Sequence, residues 1–188
     1  ILICMIAIIG GCSSNNKKNN TNSDLEEQSK INIEDIDWKV RQGIVDGDRY
    51  ALLDYKNNTP YTITHFELTF EEKDDLKEED KEKFYKHIKD VVNADDEGME
   101  EIKNKKIEFY AKSNRIVNKN KTAKNQRVYY YSGIYYLQDA SYINLADPST
   151  ATIEYISNDK IHTVCYDYKS KEYTEDEKTE KAIYWTQG

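Results

Sequence analysis

The 188 residues carry 35 acidic side chains against 27 lysines and arginines, a net charge of −8. Such an acidic balance gives no electrostatic footprint for nucleic acid, and the length suits one domain plus a tether. Seven glycines and three cysteines leave little material for a phosphate cradle or a disulfide framework.

The chain opens on an apolar run, Ile1 to Ile8, followed by Ile9-Gly10-Gly11-Cys12 and then Ser13-Ser14-Asn15-Asn16-Lys17-Lys18. The run is too short for a membrane span, which takes ~20 residues, and has the length of a signal h-region. Ile9 to Cys12 resembles the lipobox of bacterial lipoproteins. That resemblance implies cleavage before Cys12, a thioether-linked diacylglycerol on its sulfur, and the extracytoplasmic face of a bacterial cell membrane. Two acyl chains hold a protein stably at a bilayer where one would not. Residues 1–11 are thus expected to be part of a signal that the chain enters midway. An ordinary signal peptide, or the start of a core strand, is the alternative.

Residues 12–30 are rich in Ser, Asn and Lys, with Leu25 the one aliphatic side chain after Cys12. They cannot bury enough apolar surface to order themselves and are expected to be a tether reaching about 25 Å. With Cys4 lost in the signal and Cys12 acylated, Cys165 is expected to stand alone.

From residue 31 the pattern alternates with period two. Trp38 and Val40 share a strand face, and Gln42 to Val45 leads to Asp46-Gly47, a hairpin-turn dipeptide. Ala51, Leu53 and Tyr55 mark the return strand, closed by the turn Asn57-Asn58-Thr59-Pro60. Thr64, Phe66, Leu68 and Phe70 form another half-buried strand. Over 74–93 the period becomes helical, with Phe84, Ile88, Val91 and Val92 on one stripe, and Leu76 and Tyr85 nearby. Acidic residues come early and lysines late in that stretch, as the helix dipole favours. An acidic loop, Asp95 to Gly98, follows. Ile107, Phe109 and Ala111 alternate again, Asn118 to Lys121 is a loop, and Val128 to Tyr131 and Ile134 to Leu137 read as short strands. Ala151, Ile153 and Tyr155 lead to a second hairpin turn, Asn158-Asp159, and a return strand to Tyr168. The stretch 174–188 reads as a charged tail, expected to dock through Tyr184 and Trp185.

These elements predict a mainly β domain over 31–173, an antiparallel β-sandwich with one inserted amphipathic helix. Tyr50 to Thr59 followed by Ile63 to Phe70 resembles the opening strand, Asn-Asn-Thr turn and strand of FxLYM-type immunoglobulin-like domains. Ala151 to Tyr168 is similar to the closing hairpin of related Gram-positive lipoproteins. The resemblance implies an Ig-like fold and surface exposure, and it brings no catalytic residue. The chain departs from the pattern at Asn118 to Lys124, which lacks a Pro-Gly, and in the added helix.

Few residues suggest chemistry. His162 and Cys165 could pair as base and nucleophile, but residues three apart on a strand point to opposite faces, so a quiet thiol is expected. Asn93, Asp95, Glu97 and Gly98 echo the start of an EF-hand loop, yet Asn104 stands where a bidentate Glu is needed; a solvated acidic turn is the default and a weak cation site the alternative. His65 and Glu67 could give two metal ligands without a third, so plain polar strand positions are the simpler account. Tyr129, Tyr131, Tyr135 and Tyr136 are the candidate ligand contacts: outward tyrosines would form a stacking platform, while β-propensity and biased composition are the plain account. No G-x-S-x-G or H-E-x-x-H occurs, no cofactor is implied, and no carboxylate pair is marked. The expected function is a non-enzymatic, surface-anchored module that binds a cell-wall glycan or an envelope protein. An envelope hydrolase or its accessory domain, working through carboxylates, is the alternative.

Overall fold

The computed structural model describes residues 31–93, 95–130 and 135–181. Cys12, Tyr131, Tyr184 and Trp185 lie outside the described residues. One compact unit begins at Ile31.

The protein is mainly β. Strands β1 (Ile36–Val45) and β2 (Asp48–Asn57) form a hairpin with Val45 opposite Asp48. Asp46 and Gly47 at its tip have φ of 56° and 90°, the left-handed pair that a two-residue turn between twisted strands requires. Strand β3 (Thr62–Glu72) precedes two helices, α1 (Glu78–Val92) and α2 (Asp96–Lys103). Then come β4 (Glu108–Ser113), β5 (Thr122–Tyr130), the two-residue β6 (Tyr135–Tyr136), and β7 (Ala146–Ser157). The chain closes with β8 (Lys160–Asp167) and β9 (Glu172–Lys181).

All pairings are antiparallel and make one sheet in the order β1-β2-β5-β4-β3-β7-β8-β9, with β6 beside β5. Strand β5 joins the halves: Thr122 to Arg127 pairs with β2, and Val128 to Tyr130 pairs with β4 and β6. Three strand spacings of about 4.8 Å separate β2 from β3 along the sheet. Yet the Tyr55 and Phe66 ring centroids are 4.7 Å apart, so the sheet is rolled. Its two ends meet as well: Trp38 Nε1 donates to the Tyr168 hydroxyl at 3.1 Å, and Ile33 N donates to the Tyr173 hydroxyl at 2.8 Å. A single core fills the roll, with Leu53, Phe66, Leu68, Phe109, Val128 and Ile153 fully buried.

The Asn57-Asn58-Thr59-Pro60 turn is held from inside. The Asn57 side chain is completely buried and uses its full hydrogen-bonding capacity. It donates to Tyr61 O at 2.8 Å and Val117 O at 2.7 Å, and accepts from Thr59 N at 3.0 Å and Thr59 Oγ1 at 2.7 Å. Satisfaction of all four positions is what makes a buried amide tolerable.

The helix expected over 74–93 is α1, Glu78–Val92, which stops where Asn93 adopts a left-handed φ of 50°. Two expectations change. The acidic stretch after α1 is the start of α2: Asp95 is the N-cap, its Oδ1 accepting from Gly98 N at 2.9 Å, with Asp96 and Glu97 in the first turn. The segment from Thr174, set outside the domain for its charge, continues the sheet as β9 on the edge beside β8. Edge strands carry charge readily because one of their margins faces solvent.

Candidate functional site

The outer face of β1, β2 and β5 gathers the side chains most suited to recognition. Along β2 the residues Ala51, Leu53 and Tyr55 face the core, so Tyr50, Leu52, Asp54 and Lys56 face out. Along β5, Val128 and Tyr130 are buried and Tyr129 lies on the opposite side, as the alternation predicts. Arg127 is paired with Leu52 and shares that outer side.

These positions build a stack. The Arg127 guanidinium lies 4.6 Å from the Tyr50 ring centroid and 5.1 Å from that of Tyr136. Tyr129 continues the stack, 4.5 Å from Tyr136 with 35° between the rings, and its hydroxyl donates to the Tyr136 oxygen at 3.3 Å. Tyr50 meets Tyr136 edge-on at 5.7 Å. Cation–π attraction and ring stacking thus fix the rotamers of four half-buried side chains. The free end of Arg127 is held by Asp46 of the hairpin turn at 2.8 Å. The hydrogen bond from Tyr129, then that from Arg127, hold the Tyr136 phenol below its usual value; the same contact raises that of Tyr129.

Beside this stack lies an ionic knot. Arg41 donates to both Asp54 oxygens, Nε at 2.7 Å and a terminal nitrogen at 3.1 Å, and to Asn125 Oδ1 at 2.6 Å. Asp54 also accepts from Asn125 N at 2.9 Å. Asn125 has a φ of 62° and sits at the bulge that shifts β5 against β2 between Leu53 and Tyr55. Burial pushes the Asp54 carboxyl up, but the Arg41 contacts and the Asn125 N–H outweigh it and hold the group low. Gly43 keeps this layer close, since a Cβ there would strike the Leu52 side chain. Next to the knot a shallow pocket of about 350 Å³ is lined by Asp37, Lys39, Asp54, Lys56, Thr122 and Lys124, with Trp38 and Tyr55 beneath.

Of the tyrosines the sequence singles out, Tyr129 and Tyr136 meet on this face, and Tyr131 lies outside the described residues. Tyr135 is a correction. It is paired with Tyr130, which points into the core, so Tyr135 points inward and is only 9% exposed, near His87 of α1. Tyr50 and Arg127 were missed. They are distant in sequence from the tyrosine cluster, and only the β2–β5 register brings them to it.

The other candidates hold structure. His65 lies between Asn114 Oδ1, 2.6 Å from Nδ1, and the Glu67 carboxylate, 3.5 Å from Nε2. The Glu67 contact raises the His65 pKa despite burial, and lowers that of Glu67 in return. Among the described residues no three His, Cys, Asp or Glu side chains gather as a metal site. His162 stacks on Tyr155 at 5.2 Å and contacts Ser157 O, on the face opposite Cys165. Cys165 is engaged in a disulfide, so the expected lone thiol does not stand.

A larger groove of about 840 Å³ runs between α1 and α2 over Tyr85 and Met99. Six of its charges are matched, Glu79 with Lys83 at 2.7 Å, Asp96 with Lys89 at 2.6 Å, and Glu82 with Lys103 at 3.2 Å, while Lys86 and Glu100 on its wall have no ion pair among the described residues. The Lys89 contact holds Asp96 below the usual carboxylate range, the reverse of what a general acid needs.

Among the described residues no helix is long and apolar enough to cross a membrane. Comparison with family models, characterised proteins and solved structures gave no match to this chain.

Proposed function

We propose that this chain is a lipid-anchored, non-enzymatic surface module that binds a cell-wall glycan through the outer face of β1, β2 and β5. The Arg127 guanidinium lying over both the Tyr50 and Tyr136 rings, with Tyr129 against Tyr136, is the observation that carries the reading. Flat aromatic faces fixed in place suit the apolar faces of sugar rings, and fixed rotamers reduce the ordering cost of binding. The rolled antiparallel sheet and the buried Asn57 turn support an Ig-like sandwich of the FxLYM type. The lipobox at Ile9 to Cys12 supports attachment through a diacylglycerol on Cys12 and an extracytoplasmic location; acylation of Cys12 with loss of Cys4 would leave the Cys165 disulfide without its second cysteine, so the two are alternatives that labelling of Cys12 separates. The net charge of −8 speaks against a nucleic-acid partner. The hydrolase alternative loses ground, because Asp54 in one groove and Asp96 in the other are ion-paired and have lowered pKa values, the opposite of a general acid.

Binding of the full-length chain in detergent to immobilised envelope glycan tests the reading. Tyr136→Ala and Tyr50→Ala should each weaken retention about tenfold, the scale of one removed aromatic anchor. Unchanged retention in both variants, or retention by an envelope protein alone, would overturn it. Alkyne fatty-acid labelling tests the anchor: label that persists in Cys12→Ala would refute the assignment.

A further inference from the structure

The shallow pocket beside the ionic knot adds charge to a face so far described by its rings. Lys39 on β1, Lys56 on β2 and Lys124 on β5 line its rim, and all three are exposed. Two acids share the pocket and both are occupied. Asp54 is bound by Arg41 and Asn125 N, and Asp37 accepts from Asn58 Nδ2 at 2.7 Å. Among the described residues no ion pair within 4.0 Å joins Lys39, Lys56 or Lys124 to a carboxylate, although Asp54 faces Lys39 and Asp37 faces Lys56 in the strand register. In the groove between the helices, by comparison, Lys83, Lys89 and Lys103 each have an acid, and Lys86 alone of the four lining lysines has no ion pair among the described residues.

The wider face is cationic on an acidic chain. Lys39, Arg41, Lys56, Lys124 and Arg127 stand against Asp37, Asp46, Asp48 and Asp54. Tyr50 and Lys56 lie on the same side of β2, six residues apart, so stack and lysine rim are about 20 Å distant along the strand. A polymer could span both at once.

Resting on the glycan-binding reading, we infer that this face takes an anionic glycan, its sugar rings on the Tyr50–Arg127–Tyr136 stack and its phosphate or carboxylate groups over Lys39, Lys56 and Lys124. The lysines gain a close ion-pair partner that none of the described residues supplies. The ligand charge also overcomes the repulsion that a net charge of −8 would exert on a polyanion at longer range, because opposite charges at short distance outweigh screened distant ones.

Titration calorimetry on the full-length chain in detergent tests this with three probes: phosphomannan, the matched unphosphorylated mannan, and polygalacturonate. Phosphomannan should bind about tenfold more tightly than mannan and lose that margin at 0.5 M salt. Polygalacturonate binding would name carboxylate as an acceptable charge, and its failure would restrict the site to phosphate; either result fits the inference as long as phosphomannan exceeds mannan. A triple substitution, Lys39→Gln, Lys56→Gln and Lys124→Gln, should erase the margin with the melting curve intact, since all three side chains are solvent-exposed. The single Lys56→Glu should reduce it in the same direction. Equal affinity for mannan and phosphomannan, or a margin that survives the triple substitution, overturns the inference; sensitivity to Tyr136→Ala would then still uphold the stack. A margin lost with the lysines but untouched by Tyr136→Ala and Tyr50→Ala upholds the lysine rim and overturns the stack. Absence of binding to all three probes overturns both.

Discussion

The helical layer and the outer face of β1, β2 and β5 use similar side chains to different ends. On α1 and α2 most charges sit in water and pair along or between the helices; Lys81 reaches Glu72 of β3 at 2.6 Å, while the apolar attachment to the sheet centres on Phe84. Its ring meets Tyr130 at 4.9 Å, Tyr142 at 5.1 Å and Phe109 at 5.7 Å. On the outer face the order is reversed: Asp54, held by Arg41, positions the backbone of β5 by accepting from the Asn125 N–H, and half-buried rings form the outer layer. An ion pair matters structurally where it fills a backbone position that would otherwise be orphaned, and little where water can replace it.

Substitutions that exchange these roles would break the contrast. Phe84→Ala should cost about 3–5 kcal/mol in a urea melt, because the cavity lies under the whole helical layer. Less than about 1 kcal/mol would mean that the layer is held by its charges. Asp54→Ala should cost about 1–3 kcal/mol, since it strands the Asn125 N–H and frees Arg41. Arg41→Ala should cost less, because Asp54 would keep the backbone contact. Equal losses would show that the salt bridge itself, and not the bulge, is the stabilising element.

The His65–Glu67 pair, on β3, sharpens the comparison with a smaller effect. His65 is raised above its usual 6.5, so its contribution is whole below 6.5 and fades as pH climbs through the folded value. Glu67 is lowered below its usual 4.5, so its contribution is whole above 4.5 and fades as pH falls through the folded value. The pair should therefore stabilise most between 4.5 and 6.5. Glu67→Gln should flatten that window in a series of urea midpoints and bring the His65 titration down when followed by NMR. A His65 titration unmoved by Glu67→Gln would refute the pairing. Smallest of all, Lys89→Ala should leave the melting temperature unchanged within error, as both Lys89 and its partner are fully solvated. A measurable drop would show that α2 depends on that contact.

How far the sequence reaches depends on the range of the forces involved. Asp46-Gly47 and Asn158-Asp159 announce their hairpins because turn conformation is decided by two residues; all four adopt positive φ. Phe66, Leu68 and Phe70 announce β3 by alternation. Other elements were hidden by their surroundings. Thr122 to Arg127 is polar, with Ala123 its one buried side chain, and the bulge at Asn125 breaks the period, so the first half of β5 carries no strand signal. Strand β7 begins at Ala146, earlier than its apolar run, and accommodates Pro148 at a register shift against Phe70. In the candidate site, Tyr129 was legible from local alternation. Tyr50, Arg127 and the lysine rim were not, because they converge only through pairing between distant segments.

The sharing of β5 between the two halves of the sheet also bears on how the chain assembles. The β1–β2 and β7–β8 hairpins close over two-residue turns, and contacts so local form within microseconds. Neither can shield its apolar side until β5 arrives from the middle of the chain and bridges β2 to β4. That long-range step should govern the pace, because loop-closure entropy must be met before the reward of burial. A chain growing from its amino end would expose the β1–β2 hairpin for the whole interval. The turn at Asp46-Gly47 would thus be the first part built and among the last to be covered.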